Sequence, residues 1–320
     1  MNKRSVLWLV VGVGLLVAGT ILGLSRGWDY SPGDDDLVDL GRFAPSQVSS
    51  LRVETGSVEL RFYDSAADAL EISAVGAAAR RVTVSLDDGV LTLREKERSF
   101  FPDFFRSSGY VVFWFPGGTF SGDISAVTDS GELSVSGLRL SGSALSAKSG
   151  SGDVSVYDVE AAALNAEASS GAVYLGSVSV SGTITAAAAS GHLSLYDAGC
   201  SQAELRSDSG GISVSDARGD SLRVSSSSGD ISLYSGAFLS VDVSAVSGGV
   251  SALTVDAADL SVQTASGSVD LSLPGEASDY TVRFDTASGS LRGQTDGGGE
   301  KTVRVETASG GLSVRYEAGD

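Results

Sequence analysis

From about Ile124 to the C-terminus, apolar and polar residues alternate on either side of a recurring glycine. The clearest copy is Leu222-Arg-Val-Ser-Ser-Ser-Ser-Gly229-Asp-Ile-Ser-Leu-Tyr234. Counted from the glycine, apolar residues stand at minus seven and minus five (Leu145 and Ala147, Leu260 and Val262). They stand again at plus two and plus four (Leu133 and Val135, Ile231 and Leu233). A period of two describes strands with one face inward, not helices. The residue at minus three is small in every copy, as in Ser149, Ala168, Ser226 and Thr307, which predicts an interior too tight for a large side chain.

The glycines fall at Gly131, Gly152, Gly171, Gly191, Gly210, Gly229, Gly248, Gly267, Gly289 and Gly310. From Gly152 to Gly267 each step is 19 or 20 residues. A fixed step of this size marks a repeat architecture. Each copy supplies two short strands, a Ser-Gly corner and a looser Ala/Gly/Asp/Ser corner. A glycine after serine, leading into a strand, suits a corner with positive φ. An antiparallel meander and a parallel solenoid both fit two strands per copy. The solenoid is favoured because outward Ser134, Ser155, Ser194, Ser213, Ser232, Ser251 and Ser313 recur at one site, and stacking like on like explains such a ladder. Ten coils at the ~4.8 Å strand spacing make a rod about 45–50 Å long.

The N-terminal part reads differently. Lys3-Arg4 precede an uncharged apolar run from Ser5 to Leu24, long enough to span a bilayer. The leading positive charges predict a cytoplasmic N-terminus and an extracytoplasmic repeat region, hence a single-pass protein of the cell membrane. A cleaved signal peptide is the rival, weakened by the length of the apolar run and the lack of a sharp cleavage site. Asp34-Asp35-Asp36 read as a solvated tether rather than a calcium loop, whose ligands alternate. Leu51-Arg-Val-Glu-Thr-Gly56-Ser-Val-Glu-Leu60 is a first, shorter repeat phrase. Beyond it, Arg81–Arg94 read as a hairpin turning at Asp88-Gly89, and Tyr110–Pro116 as a strand closed by proline. The segments are therefore 1–26 anchor, 27–48 tether, 49–120 irregular β cap and 121–320 solenoid. The cap is the device that stops edge-to-edge growth.

Composition sharpens this picture in two ways. Net charge is −18, which repels nucleic acid and anionic lipid. Cys200 is the only cysteine, so no intramolecular disulfide forms; a small buried thiol in a corner segment is expected.

The phrase Val/Leu-x-Val-x-Thr/Ser-x-Ser-Gly-x-Val/Ile-x-Leu, as in Leu222–Leu233, Leu260–Leu271 and Val303–Val314, resembles the bacterial β-strand-repeat family labelled putative adhesins. The strand-then-proline phrases Val111–Pro116 and Val269–Pro274 look like family features as well. The likeness covers about Leu51 to the end. It implies a right-handed parallel β-helix, often behind an N-terminal membrane helix, and supplies no catalytic residues.

Candidate chemistry is sparse. His192 is the single histidine, and zinc needs several ligands. Asp153 and Asp230 share the plus-one position but are four copies apart, and Asp208 does not join them. No nucleophile elbow or phosphate loop is present. The expectation is a protein without catalytic, cofactor or metal site. Two aromatic groups are the candidate contact residues for a protein or glycan partner: Phe100, Phe101, Phe104, Phe105 and Trp114 in the cap, and outward Tyr157, Tyr196 and Tyr234 at plus five. Filling of the cap's own core and ordinary strand propensity are the plainer accounts. Taken together, the sequence predicts a non-enzymatic, membrane-anchored adhesin, scaffold or interaction module of the envelope. A polysaccharide-active β-helix enzyme and an envelope sensor or regulator are the alternatives.

Overall fold

The computed structural model describes residues 37–96, 109–295 and 297–317. Equivalent residues of successive copies pair in parallel, as in Leu193↔Ile212↔Ile231↔Val250 and Leu145↔Leu164↔Ile184↔Ala203. The molecule is an all-β solenoid of about ten turns with mostly parallel strands. The minus-seven, minus-five, plus-two and plus-four residues are buried along its length except in the Gly289 copy, where Phe284 is half-buried and Leu291 exposed. That continuous apolar interior is what closes each coil, since one repeat cannot bury its face alone.

From Gly131 to Gly248 each coil has three sides, where the spacing of the sequence suggested two. The first carries minus seven to minus three, the second plus two to plus five. The expected loose corner is a third, short side whose inward residues are buried, among them Leu138, Leu140, Val159, Val178, Ala217 and Val255. Small residues here and short runs hide the alternation from a reading of the sequence. Cys200 therefore sits on a strand, Leu193–Ser207, and not in a loop. It is half-buried, and burial followed by the nearby Asp220 charge pushes its thiol up to about 11.

The corner glycines do not have positive φ. Their role is close approach. A Cβ on Gly171, Gly210 or Gly229 would overlap the carbonyl oxygen of the corner glycine one coil earlier, Gly152, Gly191 or Gly210. The hydroxyl at minus three completes the turn: Ser226 Oγ accepts from the Gly229 N–H (2.9 Å) and Thr264 Oγ1 from the Gly267 N–H (3.0 Å). Positive φ lies instead at plus six, between the second and third sides. Asp158, Ser177, Asp197, Asp216, Ser235 and Thr254 stack there with φ of 48–57°. Asp tolerates this region better than most residues, which accounts for its recurrence.

Both ends depart from chain order. At the N-terminal end, Ser50–Thr55 and Glu59–Ser65 form a coil between an outer one, Val90–Glu95 with Tyr110–Pro116, and an inner one, Asp123–Thr128 with Leu133–Ser136. Antiparallel strands Leu70–Val75 and Val82–Asp87 cover the outer coil. The Val82–Glu95 hairpin turns at Asp88 and Gly89, both at positive φ, as a type I′ turn requires. Phe62, Phe113, Phe115 and Phe120 fill this end, with Phe62 and Phe113 stacked at 4.6 Å. At the other end, Lys301–Thr307 and Leu312–Glu317 insert between Asp256–Thr264 with Val269–Pro274 and Tyr280–Thr286 with Leu291–Arg292. Gly310 thus stacks on Gly267, and Gly289 on Gly310, so the last copies do not follow the chain order their spacing implied.

Leu37–Phe43, within the stretch read as tether, form a strand. The anchor at 1–26 and Phe100, Phe101, Phe104 and Phe105 lie outside the described residues. Among the described residues no helix is long and apolar enough to cross a membrane.

Candidate functional site

The second side presents three outward rows, at plus one, plus three and plus five, and the candidate residues concentrate on it. Period-two strands in parallel register place the same outward position of every coil in one line. The plus-five line runs Ser136, Tyr157, Gly176, Tyr196, Ser215, Tyr234 and Leu253. Continued into the cap through Val135↔Phe62 and Tyr63↔Trp114, it takes in Tyr63 and Trp114. Trp114 and the three tyrosines, which the sequence placed in separate regions, thus belong to one row. Tyr63 was not among the candidates. Its link to Trp114 depends on the out-and-back path of the cap, which no spacing signals.

The rings are half-buried, and four of the five are paired, Tyr234 standing between Ser215 and Leu253. Trp114 and Tyr63 lie 5.7 Å apart at 40°, and Tyr157 and Tyr196 6.0 Å apart at 50°, within the range of favourable aromatic contacts. Tyr157 and Tyr196 reach each other across a coil because that coil carries Gly176 in the row. A Cβ there would overlap the Cε1 and Cζ atoms of Tyr196. Burial, then the adjoining Tyr196 and Tyr174 hydroxyls, push the Tyr157 pKa up. Tyr174, at plus three on the intervening coil, adds a third ring to the cluster; burial and then the Asp153 charge raise its pKa too.

On one flank of the aromatic row runs the serine ladder at plus three, Ser134↔Ser155 and Ser194↔Ser213↔Ser232. On the other are the plus-six residues, exposed Asp158, Asp197 and Asp216 among them. Ser177 Oγ donates to Asp197 at 3.0 Å. At plus one, three carboxylates converge, where the sequence predicted none would. Glu132 pairs with Asp153 by continuation of Leu133↔Val154, and with Glu59 by continuation of Leu133↔Leu60. Partial burial, then the Glu59 and Asp153 charges, raise the Glu132 pKa. Glu59 was missed because residues 66–120 separate its coil from the next in the chain. Glu59 accepts from Arg61 Nε at 2.6 Å, and Asp153 from the Ala172 N–H at 2.7 Å. Asp230 likewise accepts from the Gly249 N–H at 2.8 Å; the plus-one aspartates tie one coil to the next. His192 is exposed at this row, its pKa lowered by partial desolvation. No group of His, Cys, Asp and Glu among the described residues is arranged to hold a metal ion.

The Toastrack DUF4097 family profile matches residues 48–182 and again 164–315. The chain belongs to the Toastrack family. The two overlapping matches cover nearly the whole solenoid of this Toastrack chain, cap included. No curated protein matches it. Among solved structures, a putative adhesin from Bacteroides fragilis NCTC 9343 is similar at 13% identity and a TM-score of 0.44, over 88% of this chain and 97% of that one. A putative lipid binding protein from Parabacteroides distasonis ATCC 8503 gives 12%, 0.47, 88% and 96%. A putative adhesin from the same strain gives 14%, 0.45, 89% and 98%.

Proposed function

We propose that this Toastrack chain is a non-enzymatic interaction module of the cell envelope, adhesin-like, which presents the second side of its solenoid to a partner. The observation that carries this reading is the aromatic row from Trp114 through Tyr63, Tyr157 and Tyr196 to Tyr234, half-exposed and flanked by hydroxyls and carboxylates. A row of large rings on an outward face gains most when a ligand covers it. The apolar run Ser5–Leu24 serves as a single membrane anchor, with the solenoid on the extracytoplasmic side. We take the coil as right-handed, as parallel crossovers within one sheet nearly always are.

A polysaccharide-cleaving enzyme is the second reading, favoured by the Glu59–Glu132–Asp153 line. Two-carboxylate hydrolysis needs one carboxyl as acid and one as base or nucleophile. Here Glu59 is engaged by Arg61 and Asp153 by the Ala172 N–H, which favours binding without turnover.

Cell fractionation and co-sedimentation with native envelope fragments test the proposal. The full chain is expected in the membrane fraction, and removal of residues 1–26 is expected to release it. The soluble form is expected to sediment with envelope fragments, and Tyr157→Ala/Tyr196→Ala to reduce this at least tenfold. A Phe104→Ser/Phe105→Ser variant measures the share contributed by the cap loop. Equal sedimentation of the tyrosine variant and the native chain would remove the basis for the contact face.

A further inference from the structure

Resting on that contact-face reading, we infer that the occupant of the second side is a neutral polysaccharide chain laid along the solenoid axis over the plus-five row.

Three observations lead to this ligand. The first is periodicity. Coils follow one another at the ~4.8 Å spacing of paired strands, so the backbone positions of Tyr157, Tyr196 and Tyr234, on alternate coils, recur about every 9.6 Å, and the Tyr196 ring leans across Gly176 to stand 6.0 Å from that of Tyr157. A row of rings set out along one axis suits a ligand that extends along one axis. An extended pyranose chain advances per sugar by about the rise of one coil, so adjacent sugars meet the Tyr157–Tyr196 pair and a later sugar meets Tyr234. A folded protein partner has no such repeat to match.

The second observation is the chemistry across the row. Sugar rings offer an apolar C–H face and a rim of hydroxyls. The plus-five row supplies aromatic rings, while the plus-three serines and the plus-six Asp158, Asp197 and Asp216 supply acceptors and donors on its flanks. Hydrogen bonds to charged acceptors are the stronger kind, and carboxylates beside the row provide them for sugar hydroxyls. The third observation is charge. From Trp114 to Leu253 the row itself carries no ionised side chain, and its plus-six flank is acidic at Asp197 and Asp216, Asp158 being paired with Arg139 at 3.0 Å. Acidic glycans and nucleic acids are repelled, leaving a neutral chain as the complementary polymer.

Gly176 is part of this design. By leaving its site open it lets the distal edge of Tyr196 cover the backbone and meet Tyr157, joining two rings into one platform.

Affinity electrophoresis of the full chain through gels containing soluble β-linked glucan, β-linked mannan or polygalacturonate tests the inference. At least one neutral polymer is expected to retard the protein, and polygalacturonate not to. Tyr157→Ala/Tyr196→Ala is expected to weaken retardation at least tenfold. Gly176→Val, which keeps both rings but displaces Tyr196, is expected to weaken it comparably. Leu239→Ala, at a residue 65% exposed and off this row, is expected to leave it unchanged. A hexasaccharide is expected to compete at least tenfold better than a disaccharide, because only the longer ligand reaches from the Tyr157–Tyr196 pair to Tyr234. Melting curves confirm that each variant is folded. Absence of retardation by every neutral polymer, retardation unaffected by the tyrosine variants, or preference for polygalacturonate would overturn the inference. If no polymer binds while the tyrosine variant still fails to sediment with envelope fragments, the glycan falls and the contact face stands. If sedimentation is unaffected as well, both fall.

Discussion

The carbonyl oxygen of Gly210 occupies the space that a Cβ on Gly229 would need. The same relationship recurs from Gly152 to Gly267, one coil upon the next. Gly229→Ala is therefore expected to destabilise by about 2–3 kcal/mol, because the backbone of two coils must part to admit one methyl group. Gly199 has no atom within 4 Å of its would-be Cβ, and Gly199→Ala is expected to stay within about 0.5 kcal/mol of the native chain. Urea titrations of the two variants check this. Equal midpoints would show that close approach is not the reason for the corner glycines.

Thr254 adopts φ +57°, a left-handed conformation that a β-branched residue takes up at a cost. Other coils place Asp or Ser at the equivalent position. Thr254→Asn is expected to stabilise by about 0.5–1 kcal/mol, since Asn enters this region more readily. A rise in the urea midpoint at constant slope is the expected outcome; an unchanged or lower midpoint would contradict the strain.

At the N-terminal end, Glu95 closes the corner of the coil that carries Gly56. Its carboxylate accepts from the Gly56 N–H at 2.6 Å and the Ser57 N–H at 2.9 Å, and pairs with Arg81, with only 7% of the side chain exposed. Truncation leaves two backbone donors without their acceptor and takes the carboxylate from Arg81, which keeps Ser57 Oγ. Glu95→Ala is expected to cost about 3 kcal/mol, through the loss of charge-assisted hydrogen bonds. In hydrogen exchange, the Gly56 and Ser57 amides are expected to lose protection ahead of the coils beyond Gly152. Uniform loss along the rod would show that the effect is not local.

Glu132 carries the pH dependence of the plus-one line. Its pKa is raised in the folded chain, by burial first and then by Glu59 and Asp153. A raised acid pKa means the fold disfavours the charged form. The penalty is thus fully present above the folded pKa and vanishes as pH falls below the unfolded value of about 4.3. Glu132 is exposed, so solvent screens its neighbours, and Glu132→Gln is expected to raise stability at pH 7 by no more than a few tenths of a kcal/mol and to have no effect at pH 3.5. Thermal melts at the two pH values check the sign. A variant less stable than the native chain at pH 7 would contradict it.

The glycine step and the alternation around it establish parallel coils, the inward residues and the serine ladder without coordinates. These are local properties repeated many times, and stacking requires equivalent residues to share a line. The plus-five tyrosines were visible for the same reason. What spacing could not supply was anything that depends on which coil lies beside which. Tyr63 meets Trp114, and Glu59 meets Glu132, because residues 66–120 loop out and return. Gly310 lies on Gly267 because the last coil inserts beneath the one before it. The reason for the corner glycines was equally hidden: positive φ is a property of one residue, whereas the contact that excludes a side chain comes from the backbone of another coil. Along the middle of the rod the nearest neighbour in space is the next copy in the chain, so order and structure coincide. At both ends the edge must be closed, chain order and spatial order part, and tertiary packing alone decides the neighbours.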